Sequence, residues 1–154
     1  MLARDYCTDP IKPVIISHHM LLGMKEGQQK MSKSDPDSAI FMEDSADDVK
    51  RKVKKAFCPP EIIDMNPCID YVRYIILPAY NDQFTVTVGK GDEKEDVVYT
   101  SYEMLEADYV SGKLHPSDLK PAIIDAINEL LQPVRDHFAT DPYARSLLET
   151  IKRW

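Results

Sequence analysis

The sequence predicts an α/β remnant followed by a mostly α-helical domain that carries a small β-hairpin. Three observations lead there. A short apolar run at residues 13–17, with Val14, Ile15 and Ile16 in succession, reads as a buried strand with no sister strand of its kind after it. From Asp47 onward, apolar residues recur at helical spacing. Within that helical stretch, residues 84–88 and 97–100 are rich in β-formers and are separated by Gly89, Gly91 and charged residues. A lone strand of the parallel type needs neighbours, because such sheets are built from repeated strand-helix-strand units. The chain is therefore expected to begin inside a larger α/β domain, with residues 1–45 as its end and residues 46–154 as the helical domain.

The elements follow in order. Residues 1–7 read as the tail of a helix. Residues 47–57 place Val49, Val53, Ala56 and Phe57 on one face and Lys50, Arg51, Lys52, Lys54 and Lys55 around the rest, and Pro59-Pro60 ends the helix. Asn66-Pro67 joins a capping side chain to the residue best suited to the first helical position, opening a helix through Tyr71, Ile75 and Ile76 that stops near Pro78. After the hairpin, Thr100-Ser101-Tyr102-Glu103 has capping-box spacing, and the helix it opens closes near Gly112. The longest helix follows His115-Pro116, with Leu119, Ile123, Ile127, Leu130, Val134 and Phe138 as its apolar stripe and a kink expected at Pro133. Asp141-Pro142 starts a last helix to Lys152.

Composition narrows the function. With 154 residues, 44% hydrophobic and 29% charged, the chain can bury a sizeable core. A formal net charge of -7 argues against holding nucleic acid by general basicity, so any such contact has to be local. Cys7, Cys58 and Cys68 show no Cys-x-x-Cys pair and no His partner at metal spacing. They read as reduced thiols, and no protein-bound metal is expected. No apolar run reaches the length of a membrane span and the N-terminus lacks a signal pattern, so a soluble, cytoplasmic protein with no membrane partner is expected.

The clearest chemical signal is Lys30-Met31-Ser32-Lys33-Ser34, downstream of Gly23 and Gly27. Ammonium groups neutralise a polyphosphate, hydroxyls hydrogen-bond it, and nearby glycines let a loop move. Lys/Ser loops are also common solvated surface, so the pentapeptide alone leaves both readings open. Its spelling is the KMSKS signature of class I aminoacyl-tRNA synthetases. A kinase-like phosphate binder is the poorer reading, for want of a G-x-x-x-x-G-K-[ST] turn.

Further segments agree with that signature. Ser17-His18-His19-Met20-Leu21-Leu22-Gly23 precedes the loop, and Lys54-Lys55-Ala56-Phe57-Cys58-Pro59 and Asn66-Pro67 follow it. Later come Ser101-Tyr102-Glu103, the run from Gly112 to Lys120 and Leu131-Gln132-Pro133-Val134-Arg135. In this order and spacing they resemble the C-terminal half of tyrosyl-tRNA synthetase of the eukaryotic and archaeal kind, over nearly the whole chain. A tryptophanyl relative is the nearest rival, disfavoured because the His115 to Lys120 motif is of the tyrosyl type. The resemblance implies the end of a Rossmann-like catalytic domain followed by an anticodon-binding domain. It also implies an activity of the complete enzyme: activation of tyrosine by ATP with Mg2+ to tyrosyl-adenylate, then transfer to tRNA(Tyr), usually in a homodimer. The four histidines include no HIGH-type signature and the tyrosine pocket would lie upstream, so this chain alone is expected to be inactive. The competing reading is a stand-alone RNA-binding or interaction module without catalysis.

Carried over residue by residue, the resemblance makes Lys30 and Lys33 candidate catalytic residues that contact phosphate, with Lys33 ranked first. Met31, Ser32 and Ser34 complete the ATP-binding loop, and Met20 stands where the family meets the adenine ring through backbone groups. Asp118, in His115-Pro116-Ser117-Asp118-Leu119-Lys120, matches the Asp that reads the Watson-Crick edge of the first anticodon base. On its own it could equally favour the positive end of a helix. An aromatic that stacks on that base in the family has no counterpart at residues 89–96, where Glu93 falls near its place, so Phe84 and Tyr99 become the candidates. From the basic run itself, Lys52 and Lys55 are candidate contacts to tRNA phosphates, with a solvated face as the plain alternative.

Overall fold

The computed structural model describes residues 14, 16–89, 91 and 93–151. The helix expected at residues 1–7 lies outside them, as do Pro13 and Ile15 of the expected strand. Val14, Ile16 and Ser17 carry no regular structure, and Val14 and Ile16 are 89% and 87% exposed. The strand expected there is thus not formed in the described residues, since extended backbone is held only by a ladder with a neighbour. Among the described residues the sheet is a two-stranded antiparallel hairpin, and no helix is long and apolar enough to cross a membrane.

In chain order, a 3-10 turn at Pro36–Ser38 leads to helix α1 (Ala46–Lys55). Helix α2 is made of three abutting pieces: Pro67–Tyr71, a π-helical turn at Val72–Ile76 and a last turn at Leu77–Ala79. Strands β1 (Phe84–Val88) and β2 (Glu95–Tyr99) follow, then α3 (Tyr102–Val110), α4 (Pro116–Thr140) and α5 (Pro142–Ile151).

Helix α1 starts at a capping box. Asp48 N–H donates to Ser45 Oγ at 3.1 Å and Ser45 N–H to Asp48 Oδ2 at 3.3 Å. The buried stripe is Val49, Lys52, Val53 and Ala56, which is helical spacing with a lysine in one apolar slot. Lys52 reaches Asp44 Oδ2 at 2.6 Å, and its side chain is 2% exposed. A buried ammonium with a buried carboxylate partner is committed to the fold, so Lys52 is withdrawn as a phosphate contact. The charges that do face solvent on α1 are Lys50, Arg51, Lys54 and Lys55.

Asn66 caps α2 by accepting from the Cys68 N–H at 3.1 Å, with Pro67 at the first helical position. The π-helical turn has a local cause in Pro78, which has no N–H and whose ring crowds the carbonyl four residues back. The Leu77 N–H bonds the Val72 carbonyl, one residue further back than an α-helix uses.

In the hairpin, Phe84 faces Tyr99 and Val86 faces Val97. Phe84, Val86 and Tyr99 are buried, so the core-facing side of the hairpin is apolar as alternation requires. Strand β2 begins two residues earlier than its apolar run, because Thr87 Oγ1 donates to Asp96 Oδ1 across the strands at 2.6 Å. Two strands alone are marginal in water, and α4 packs on β1 to cover them.

Helix α3 is capped by Ser101, whose Oγ accepts from the Met104 N–H at 3.2 Å, one residue later than the Thr100-Glu103 spacing suggested. It closes at Gly112, which takes a φ of +77° while the Leu114 N–H returns to the Asp108 carbonyl at 2.9 Å. Helix α4 runs unbroken through Pro121 and Pro133. Only the N-terminal part of its expected stripe is fully buried: Leu119, Ile123 and Ile127 are joined by Ile124 and Leu131, while Leu130, Val134 and Phe138 are half-buried. The helix outruns the body it packs on, and α5 folds back against it.

The Cys58 thiol meets the Tyr109 hydroxyl at 3.2 Å. The neighbouring Cys68 thiol and the Tyr109 hydroxyl pull the Cys58 thiol down, while Cys68 is pushed up by Cys58 and by burial. Among the described residues, no group of three side chains could hold a metal ion.

Replacing Lys52 by Met leaves the Asp44 carboxylate buried and alone. Urea unfolding should show Lys52→Met less stable by about 3 kcal/mol, against less than about 0.5 kcal/mol for Lys54→Met on the exposed face. Equal small losses would return Lys52 to the solvent.

Candidate functional site

The KMSKS loop is fastened at its base and open at its tip. The Met24 N–H donates to the Ser38 carbonyl at 2.9 Å, and the Phe57 N–H, just past α1, donates to the Met24 carbonyl at 2.8 Å. Ser38 is fully buried and grips Ser32 by both main-chain groups. Its Oγ accepts from the Ser32 N–H and donates to the Ser32 carbonyl, both at 2.9 Å. Across the ends of the loop, Lys25 Nζ donates to the two Asp35 oxygens at 2.8 and 2.6 Å. One residue past the Pro36 start of the 3-10 turn, Asp37 pairs with Arg51 and, at 3.6 Å, with Lys55. The Arg51 guanidinium holds the Asp37 carboxyl below the usual carboxylate range.

This pairing sorts the charges. Lys25, Asp35 and Asp37 are neutralised within the fold. Lys30 and Lys33 are exposed and have no carboxylate partner among the described residues. Lys30 and Lys33, like Glu26, are left without a partner among the described residues on a loop where Lys25, Asp35 and Asp37 are paired, and exposed ammonium groups of this kind are suited to an external polyanion. The hydroxyls of Ser32 and Ser34 lie 2.8 Å apart, so each has capacity left for another partner.

Two clefts hold the other sequence-predicted residues. The first, about 710 Å³, is lined by His18, His19, Met20 and Leu21, by Lys30 and Met31, and by Tyr74 and Ile75 of α2. It brings together Met20, Lys30 and Met31, whereas Ser32, Lys33 and Ser34 are not part of its lining. The second, about 410 Å³, lies between the hairpin and α4 and is lined by Asp118 with Ser117, Asp125, Thr85, Thr87 and Lys94 among others. His115 sets Asp118 in place by capping α4, its Nδ1 accepting from the Ser117 N–H at 3.2 Å.

Neither aromatic expected to stack near Asp118 is free to do so. Phe84 is 4% exposed and Tyr99 is fully buried, both committed to the core. Phe84 does line that cleft, together with Tyr80, which is half-buried and was not singled out in the sequence. Its hydroxyl meets Glu129 at 2.8 Å, and burial together with that carboxylate pushes it up to about 12. The turn after Pro78 was its only sequence signal. Lys55 is exposed, with Asp37 as a distant partner.

A family model, tRNA synthetases class I (W and Y), matches residues 1–132. The chain belongs to this family. Among curated relatives, it is 54% identical to tyrosine–tRNA ligase 1, cytoplasmic, of Arabidopsis thaliana, over all of this chain and 40% of that protein. It is 39% identical to the tyrosine–tRNA ligase of Thermococcus onnurineus, over 97% of this chain and 44% of that protein. Among solved structures, the tyrosyl-tRNA synthetase of Pyrococcus horikoshii complexed with L-tyrosine superposes with a TM-score of 0.80 at 35% identity, covering 97% of this chain and 46% of that one. This class I synthetase chain thus spans less than half the length of those relatives, with a largely helical fold and one small antiparallel hairpin.

The Ser38 grip is open to a direct test. Ser38→Ala strips both main-chain partners from Ser32, so amide hydrogen exchange at Ser32 should quicken by roughly tenfold while amides of α4 keep their protection. Unchanged exchange at Ser32 would mean the loop is held elsewhere.

Proposed function

We propose that this chain is the part of a tyrosine–tRNA ligase that supplies the KMSKS loop and the recognition of the anticodon. The whole protein would activate tyrosine with ATP and Mg2+, the metal arriving as part of the nucleotide complex, and pass the tyrosyl group to tRNA(Tyr). The observation that carries this reading is the pair of exposed lysines, Lys30 and Lys33, without a carboxylate partner among the described residues, on a loop where Lys25, Asp35 and Asp37 are paired. The name of the Arabidopsis relative supports a cytoplasmic location, and a homodimer is the expected assembly of the complete enzyme.

The chemistry follows from charge. A tyrosine carboxylate oxygen attacks the α-phosphorus of ATP, the new O–P bond forms tyrosyl-adenylate, and the bond to the β-phosphate oxygen breaks with release of pyrophosphate. Negative charge grows on that leaving group during the step. A cation that meets the charge as it develops lowers the barrier more than it aids ground-state binding. Lys33 is assigned that role, with Lys30 beside it. Met20 and Met31 border the cleft proposed for the adenine end, and Ser32 and Ser34 offer hydroxyls to phosphate oxygens.

Asp118 is assigned to the anticodon. A carboxylate accepts from the N–H donors on the Watson-Crick edge of guanine, and single-stranded loops are read through such edges. Support comes from its place on an open cleft beside the hairpin. Tyr80 replaces Phe84 and Tyr99 as the candidate for stacking. Lys55 remains a candidate phosphate contact, whereas Lys52 does not.

Two variants of the whole protein separate these roles. Lys33→Ala should slow tyrosine-dependent ATP–pyrophosphate exchange by roughly a hundredfold with little change in tyrosine binding; an unchanged exchange rate removes the assignment. Asp118→Ala should cost about 1–3 kcal/mol in tRNA charging and leave exchange intact. Exchange absent from the unaltered protein, with specific tRNA binding kept, would favour the non-catalytic RNA-binding reading.

A further inference from the structure

A cluster of side chains joins the segment ahead of the KMSKS loop to helix α2. The His19 ring lies on Tyr74 with centroids 3.9 Å apart and planes 15° from parallel. Its Nε2 meets the two Asp70 oxygens at 3.1 and 3.0 Å. The Leu22 N–H donates to Asp70 Oδ2 at 3.0 Å. Behind Tyr74, the Arg73 guanidinium sits 5.3 Å from that ring and 4.3 Å from the ring of Tyr102.

These contacts restrain His19 in two directions. The carboxylate fixes the edge of the imidazole and the phenol ring fixes its face. Asp70 and Tyr74 stand four residues apart on α2, with the π-helical turn beginning between them at Val72. The Asp70 side chain is only 13% exposed, so its bonds to His19 and to the Leu22 main chain replace water it has largely lost. Segment 18–22 has no regular secondary structure of its own to hold it. Leu21 packs against the core, and the hydrogen bonds of His19 Nε2 and the Leu22 N–H run to Asp70 of α2.

That segment lines the same cleft as Lys30 and Met31, and Tyr74 lines it too. We infer that Asp70 is a positioning residue for the nucleotide: from α2 it pins His19 and the Leu22 main chain, and with Tyr74 it sets the Met20 wall of the cleft against Lys30. The inference rests on the reading of this cleft as the adenine end of an ATP site. Asp70 acts through His19 and Leu22 and touches no phosphate. Its loss should therefore loosen the pocket that receives ATP and spare the step in which Lys33 meets the leaving group.

The test uses the whole protein in tyrosine-dependent ATP–pyrophosphate exchange. Asp70→Ala should raise KM for ATP roughly tenfold, with kcat within about twofold and KM for tyrosine unchanged. Asp70→Glu, which keeps the charge, should recover part of that loss. Tyr74→Leu removes the ring and keeps the carboxylate; Tyr74 is 40% exposed, so this variant folds and should raise KM for ATP by roughly threefold. It also decides the matter if Asp70→Ala does not fold. An unchanged KM for ATP, or a loss confined to kcat, overturns the role of Asp70 while the unaltered protein remains active. No exchange by the unaltered protein overturns the ATP reading itself.

Discussion

One buried carboxylate organises the junction between the loop and the helices. Asp44 is 8% exposed, and its Oδ2 accepts from Lys52 Nζ at 2.6 Å and from the Phe41 N–H at 2.9 Å. Its main-chain oxygen accepts from Arg135 Nε at 2.9 Å, ninety-one residues along the chain. Charges taken from water are tolerated only when paired and hydrogen-bonded, so the exit of the KMSKS loop can be placed in very few ways. At the other end of α1, Lys120 Nζ donates to the carbonyls of Lys54 at 3.0 Å and Ala56 at 2.8 Å. Two cations of α4 thus grip the chain on either side of α1, one of them at carbonyls that the end of a helix leaves open. Lys120, which ends the His115 motif, acts as a strut between helices, and Asp118 two residues before it faces the open cleft.

With the base so fixed, the loop can be open at its tip without being loose throughout. Ser38 and the Lys25–Asp35 pair consume polar capacity at the base, and the cations left there without a carboxylate partner among the described residues are Lys30 and Lys33. Such an arrangement suits a group that must be neutralised only while it is bound. The Asp118 cleft is lined from a different part of the chain, the hairpin and α4. The KMSKS loop and the Asp118 cleft are therefore built from two separate sets of elements.

Much of this was legible in the sequence because the signals were local. The cap at Asn66, the helix start after His115-Pro116, the glycine stop at Gly112 and the hairpin at residues 84–99 are each decided within a few residues, and each is found close to where it was expected. The misses share a physical reason: they depend on which face of an element packs into the core and on what it meets there. Lys52 looked like one of a solvated run, yet it occupies an apolar slot of α1 and its partner Asp44 lies before the helix. Phe84 and Tyr99 looked available for stacking, yet strand alternation buries both; Phe84 still lines the cleft beside the less buried Tyr80, and Tyr99 does not. The run at residues 13–17 has the composition of a strand and finds no ladder among the described residues. The His19–Asp70 contact spans fifty-one residues and has no short-range signature at all. Of the candidate site, the loop motif was readable in the sequence and its anchoring was not.

The central claim is that Lys30 and Lys33 are held unpaired so that they can take the polyphosphate of ATP. A crystal structure of the whole protein with a non-hydrolysable ATP analogue and Mg2+ tests it most directly. The account predicts at least one of the two Nζ atoms at about 2.7–2.9 Å from a phosphate oxygen, with the Ser38 grip on Ser32 intact. Both ammonium groups turned to solvent or to protein carboxylates, with the nucleotide in place, would contradict it.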